Sequence, residues 1–227
     1  MTGPLAWHRF ETLADASEAL AEAVAIRLRE AIAQRGSASL AVPGGKTPAG
    51  FLTALGAQDL DWDKVLVMPT DERFVAPDDP ASNERMIRAA FVPLADGRAK
   101  FLSFHDRGET LDAAAQALST ELRDMQTLDI LVSGMGADGH VASLFLGDEA
   151  ALSAPAGAEI VPGRPKDLPP RLSLSSRRLA EAGWAALLIA GADKEEALAS
   201  AQELPGAFPV GLLLSRAQGL DVYWAKA

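Results

Sequence analysis

The chain has no cysteine among its 227 residues. That excludes a disulfide scaffold, a thiolate metal site and a cysteine nucleophile. Long apolar runs are missing as well. The longest, such as Trp184 to Gly191, fall short of the about 20 residues that a bilayer-crossing helix requires. No basic N-terminal stretch leads into an apolar run and a small-residue cleavage site, so a secretory leader is not expected and a cytoplasmic location is. Positive charge is scarce: 21 Lys+Arg stand against 31 Asp+Glu, a formal net charge of -10. Nucleic-acid binding rests on clustered Lys and Arg that neutralise phosphates, so no nucleic-acid or membrane partner is expected. An anionic ligand must find its cations locally, because the overall field repels it.

What is present points to a folded globular chain. Hydrophobic residues make up 48% of the chain, which excludes a disordered acidic polymer. A chain of this length buries about 70–75% of its unfolded surface without staples. Leu20, Val24, Leu28 and Ile32 recur every four residues and predict a helix ending at Gly36. Apolar runs at 39–42, 65–68, 100–104, 128–133, 171–175 and 184–190 read as strands, and further apolar runs at 210–214 and 220–224 close the chain. Helical stretches alternate with them: one opens with Thr47 as N-cap and Pro48 as first helical residue, others run through Phe91 and over Leu111 to Met125, and one opens at 191–194 with Asp193 and Glu196 spaced as a capping box. Residues 148–170, rich in Pro, Ala and Gly, read as a surface excursion. The alternation predicts an α/β fold, a mainly parallel, doubly wound sheet with helices on both faces, in one domain spanning 1–227. Such sheets bind ligands beyond the carboxyl ends of their strands. The loops at 43–48, 70–83, 134–143 and 191–194 each follow a strand and are the places to look.

Two motif matches fail on inspection. Gly45-Lys46-Thr47 copies the tail of a P-loop, but the position needing the first glycine is Leu40, inside a strand. Gly134, Gly136 and Gly139 match the dinucleotide pattern, yet Glu159, at the required spacing, lies in the excursion rather than after a strand. Neither a nucleotide nor NAD is expected. The 43–48 turn keeps its physics: two glycines at a helix start admit an anion to backbone N–H groups, and Lys46 adds charge.

His140 sits in a glycine-rich turn after a buried strand, two residues from Asp138. A neutral imidazole oriented by a carboxylate is the usual general base; the residues alone leave open that Asp138 caps a following helix and His140 is a spectator. His8 reads as structural or solvated, and His105 as a surface residue. Asp71, Glu72 and Arg73 at a strand end form either an ion-pair network or a site. Asp78 and Asp79 read as solvated, and Ser82 and Asn83 as helix-start residues.

Three blocks together resemble the 6-phosphogluconolactonase family: Val42 to Pro48, Thr70 to Val75 with Ser82-Asn83 beyond, and Gly134 to Phe145. Arg171 to Ser175 and Gly191 to Lys194 are similar to two weaker blocks of that family. Pro43 and Lys46 stand where the family usually has Ser, Val141 where it has Thr, and Leu146 where it has Pro. The resemblance implies a modified Rossmann-type fold shared with glucosamine-6-phosphate deaminases. It also implies hydrolysis of 6-phospho-D-glucono-1,5-lactone, in the oxidative pentose phosphate route, without metal or organic cofactor. On this reading His140 is the base, with Asp138 and Arg73 assisting. Gly44, Gly45, Lys46, Thr47, Asp71, Gly134, Gly136, Arg171 and Lys194 hold substrate, and N–H groups of the Gly134–Gly136 turn or a nearby Arg meet the oxyanion. The partner is then a small phosphorylated lactone, and a monomer or at most a weak dimer is expected. The rivals are a glucosamine-6-phosphate deaminase and a non-catalytic sugar-phosphate sensor. The deaminase resemblance lacks a carboxylate after His140 until Asp148, and no output module accompanies a sensor.

Overall fold

The computed structural model describes residues 3–125, 127–153 and 155–226. Strand β1 (Leu5–Phe10) leads into the long helix α1 (Leu13–Arg35), then β2 (Ala38–Val42), α2 (Ala49–Gly56), β3 (Val65–Pro69) and β4 (Asp71–Arg73). There follow α3 (Asn83–Ala90), α4 (Val92–Ala95), β5 (Lys100–Phe101), α5 (Leu111–Leu122), β6 (Ile130–Ser133), α6 (Glu149–Leu152), β7 (Ile160–Gly163) and β8 (Arg171–Leu174). Then come α7 (Ser176–Ala180), β9 (Trp184–Ala190), α8 (Ala192–Glu203), α9 (Gly211–Leu214) and β10 (Leu220–Ala225).

A seven-stranded sheet runs in the order β1-β10-β9-β6-β2-β3-β5, with every pairing parallel. Successive side chains of a strand point to opposite faces, and here each face feeds its own core. Leu40 and Val42 of β2, Ile130 and Val132 of β6, and Ala186 and Leu188 of β9 pack with α1, α2 and α3. Ala41, Leu131, Leu187 and Ile189 pack on the other face with α5, α8 and α9. The central strands β2, β3, β6 and β9 are therefore almost continuously apolar, as a doubly covered parallel sheet requires. In α1, Leu20, Val24 and Leu28 are fully buried. Thr12 caps the helix by accepting the Asp15 N–H at 3.1 Å, and the Gly36 N–H closes it on the Ile32 carbonyl at 2.8 Å. Among the described residues no helix is long and apolar enough to cross a membrane.

A small antiparallel sheet, β4-β8-β7, covers one end. Two of its strands lie where loops are expected: β4 inside the polar 70–83 segment, β7 inside the 148–170 excursion, of which Ala154 lies outside the described residues. The apolar run at 210–214 is helical: the Leu214 N–H turns back to the Val210 carbonyl at 3.2 Å, and the Ser215 N–H to the Gly211 carbonyl at 2.9 Å. An apolar run of five fits either state, and β10 already occupies the place beside β9. The strand expected over 100–104 keeps ladder pairing only at Lys100 and Phe101. Thr47 does not cap α2, which begins at Ala49 behind Pro48, and Asp193 with Glu196 forms no capping box, because α8 begins at Ala192 behind Gly191.

Strand order reverses between β2 and β6, which lie side by side although their sequences are far apart (Leu40 opposite Ile130). The loops leaving their carboxyl ends diverge there and open a crevice.

Candidate active site

The crevice is a cleft of about 230 Å³, at the small end for ligand sites, with room for one sugar phosphate but not a dinucleotide. Every residue expected to touch substrate lines it: Gly44, Gly45, Lys46, Thr47, Asp71, Arg73, Gly134, Gly136, His140, Arg171 and Lys194. Asp138 stands one layer back, on His140.

The turn after β6 builds the Asp–His pair. The Gly136 N–H donates to the His140 carbonyl at 2.9 Å, and the Gly139 N–H to the Gly136 carbonyl at 3.0 Å. This brings His140 Nδ1 to 2.6 Å from Asp138 Oδ1, which also accepts the His140 N–H at 3.2 Å. Burial raises the Asp138 carboxyl, but the two His140 hydrogen bonds outweigh it and hold the group below its usual range. The carboxylate accepts a hydrogen bond from Nδ1–H, leaving Nε2 without a hydrogen-bond partner among the described residues. His140 stacks on Phe145, with ring centroids 4.3 Å apart. No helix follows for Asp138 to cap; residues 141–144 form a tight turn, with Ala142 at φ +49°. From below, Val210 donates its N–H to the Gly139 carbonyl at 2.9 Å, so the start of α9 supports the Asp138–His140 turn.

The same cleft carries cations. Arg73 and Arg171 are register partners on β4 and β8 and project side by side. Burial lowers the Arg171 pKa from its usual value and the Arg73 charge adds to this, while Asp71 opposes them. The buried Nε of each arginine has no partner, and Arg171 makes no side-chain hydrogen bond among the described residues. Two adjacent guanidiniums with donors to spare are a receptor for an anion. Lys46 and Lys194 line the same cleft, as do Pro48 and Ala190, which sit where α2 and α8 begin; neither helix start is capped by a side chain. Gly45 turns at φ +105°, a conformation that favours glycine.

Asp71 is buried against Thr70 Oγ1 at 3.2 Å and Ser143 Oγ at 2.5 Å, tying the His140 turn to β4. Asn83, expected only as a helix start, also lines the cleft and donates Nδ2 to the Asp71 carbonyl at 2.7 Å. Two expectations change. His105 is buried rather than superficial, with Nε2 3.1 Å from Glu72 Oε2. The Gly136 N–H is spent on the His140 carbonyl, so it is no oxyanion donor; Gly134, Met135 and the arginines remain.

Fold and site together define an α/β enzyme for a small anionic substrate, with an Asp-oriented imidazole and two arginines lining one cleft. The family model described as glucosamine-6-phosphate isomerases/6-phosphogluconolactonase matches residues 11–224. A 6-phosphogluconolactonase of Rhizobium meliloti is 38% identical over 226 residues, covering 96% of this chain and 97% of its own. One from Mesorhizobium japonicum is 39% identical over 231 residues, covering 96% and 94%. The crystal structure of a 6-phosphogluconolactonase from Shewanella baltica superposes with a TM-score of 0.89 at 30% identity, covering 99% of each chain. The chain belongs to the glucosamine-6-phosphate isomerase/6-phosphogluconolactonase family.

Proposed function

We propose that this chain, acting as one domain over 1–227, hydrolyses 6-phospho-D-glucono-1,5-lactone to 6-phospho-D-gluconate in the oxidative pentose phosphate pathway. The observation that carries the reading is the Asp138–His140 contact of 2.6 Å in a cleft that the paired arginines also line. Full-length relatives named 6-phosphogluconolactonase support it.

A δ-lactone is an activated ester, so water attacks it without a covalent intermediate. His140 Nε2 takes a proton as the water oxygen bonds to the lactone carbonyl carbon. The carbonyl oxygen becomes an oxyanion, facing the Gly134 and Met135 N–H groups or the Arg73 guanidinium. When the tetrahedral intermediate collapses, the bond to the ring oxygen breaks and His140 returns its proton to that oxygen, giving the 5-hydroxyl. The new carboxylic acid then ionises to the medium. Asp138 holds the tautomer and stabilises the transient imidazolium. The remote phosphate lies against Gly44, Gly45, Lys46 and Thr47 with Arg171 and Lys194, and its binding energy sets the carbonyl against the base. The enzyme works in the cytoplasm as a monomer or weak dimer.

The deaminase alternative needs a further carboxylate near His140. The first downstream, Asp148, accepts the Arg164 N–H at 2.6 Å and caps α6, and the ring instead meets Phe145.

Freshly prepared lactone and glucosamine 6-phosphate, assayed in parallel for acid and ammonia against a buffer blank, test the proposal. Acid release above the blank, without ammonia, is expected. His140→Ala should lower kcat by about 10²–10⁴-fold with little change in KM. Arg171→Ala should raise KM about tenfold to a hundredfold, for a lost charge-assisted contact of roughly 1.5–3 kcal/mol. Near-normal turnover in His140→Ala sinks the base assignment.

A further inference from the structure

Beside the cleft lies a second set of ionisable groups that hydrolysis does not use. On β4, Asp71 and Arg73 face the cleft, while Glu72 between them is directed into the protein and is 1% exposed. Its carboxylate gathers donors from three segments. Oε1 accepts the N–H groups of Arg73 and Asn83, both at 2.7 Å. Oε2 accepts the Glu84 N–H at 2.6 Å and the Ser82 hydroxyl at 3.1 Å, and lies 3.1 Å from His105 Nε2. His105 is itself fixed, its N–H donating to Ser103 Oγ at 3.1 Å, while Ser103 Oγ donates to Glu84 at 2.5 Å. The charges facing the imidazole are Glu72 from β4, Glu84 from α3 and Asp106 from its own loop, and Glu84 is shared with Arg88 at 2.8 Å.

Part of this arrangement caps α3: Glu72 accepts the N–H groups of its first two residues, Asn83 and Glu84, while Ser82 Oγ accepts the third, Arg85, at 3.1 Å. The bonds from Arg73 and His105 lie outside that role. Burying a carboxylate is costly unless it is fully paired, and what this one joins is specific. It holds the main chain of Arg73 directly. Through residues 82–84 it also holds the neighbouring Ala81 carbonyl, which accepts Arg73 Nη1 at 2.5 Å. Both ends of the arginine are therefore set by one carboxylate.

We propose that Glu72, clamped by His105, is a positioning residue for Arg73, placing its guanidinium in the cleft. The role rests on the lactonase reading of that cleft. Misplacing a group at a reacting site by about 1 Å costs on the order of a hundredfold in rate.

The test is a set of double-mutant cycles. Glu72→Gln and His105→Gln are made alone and in an Arg73→Ala background, and kcat and KM for the lactone are measured at temperatures where circular dichroism shows each variant folded. With Arg73 present, each substitution should lower kcat/KM about tenfold to a hundredfold. In the Arg73→Ala background neither should lower it further, because groups acting through one side chain are non-additive. Equal losses in both backgrounds mean a general structural effect and overturn the proposal, as does no loss with Arg73 present. If Glu72→Gln does not fold, having set an amide against N–H groups, His105→Gln alone decides, since it removes the imidazole and leaves the Glu72 carboxylate on the main-chain N–H groups of Arg73, Asn83 and Glu84. A wild type that hydrolyses no lactone above the blank overturns the functional reading, and this role with it.

Discussion

A Cβ on Gly136 would sit 2.1 Å from His140 Nδ1 and 2.4 Å from Asp138 Oδ1. These distances are far inside van der Waals contact, so the proposed base and its orienting carboxylate can meet only above a residue without a side chain. Gly136→Ala should push the pair apart and lower kcat about a hundredfold, since catalytic placement is sensitive at the ångström scale. Saturating-substrate kinetics together with a melting curve check this; a folded variant with wild-type kcat would show that the contact is dispensable. The Asp138–His140 pair was legible in the sequence because its partners are two residues apart and share one turn. His105 was not: its partner Glu72 lies 33 positions away and meets it only after β4, α3 and the loop after β5 have assembled. Phe145 stood in a recognised block, yet no local pattern announces that its ring stacks on His140.

At the scale of elements, the junction of β4 and α3 carries a pH signature. Burial raises the Glu72 pKa, but the hydrogen bonds from His105, Glu84 and Asn83 together outweigh it and bring the group below its ordinary 4.5. A carboxyl with a lowered pKa stabilises the fold fully above that ordinary value and loses the contribution as pH falls through the folded value. The hydrogen bond to Glu72 raises His105 above its ordinary 6.5 against the opposing effect of burial. Its contribution is full below 6.5 and fades as pH rises through the raised value. Both operate together between about 4.5 and 6.5. The melting-temperature gap between wild type and His105→Gln should therefore be widest in that window and shrink as pH rises above it. A gap that stays constant across the titration would mean that the imidazole is held neutral. The same junction marks where reading elements from sequence falters. The central strands are apolar runs and declare themselves, whereas β4 is Asp-Glu-Arg and β7 lies in a stretch rich in Pro, Ala and Gly. Their strand character comes from pairing with β8, a long-range contact that overrides local composition.

Over the whole molecule, the sheet separates stability from chemistry. Two apolar cores lie on its faces, while the polar groups of the cleft ride on loops at the carboxyl ends of its strands. The layered α/β architecture and the loops that carry the site follow from alternating apolar and helical segments. The order of the strands does not, because the neighbouring of β2 and β6 that opens the cleft joins segments with no local signal for each other. The separation can be tested in α1, which packs on one face and lines no part of the cleft. Leu28 in that helix is fully buried. Leu28→Ala should cost about 2–5 kcal/mol through lost transfer energy and the cavity left behind. Each kcal/mol lowers Tm by roughly 2–4 °C in a chain of this size. Denaturant unfolding should show a lower midpoint at an unchanged slope, since the surface exposed on unfolding is nearly the same. At a temperature where the variant remains folded, kcat and KM for the lactone should match wild type. A folded Leu28→Ala with depressed kcat would show instead that this core transmits strain through the close-packed sheet to the loops that hold His140.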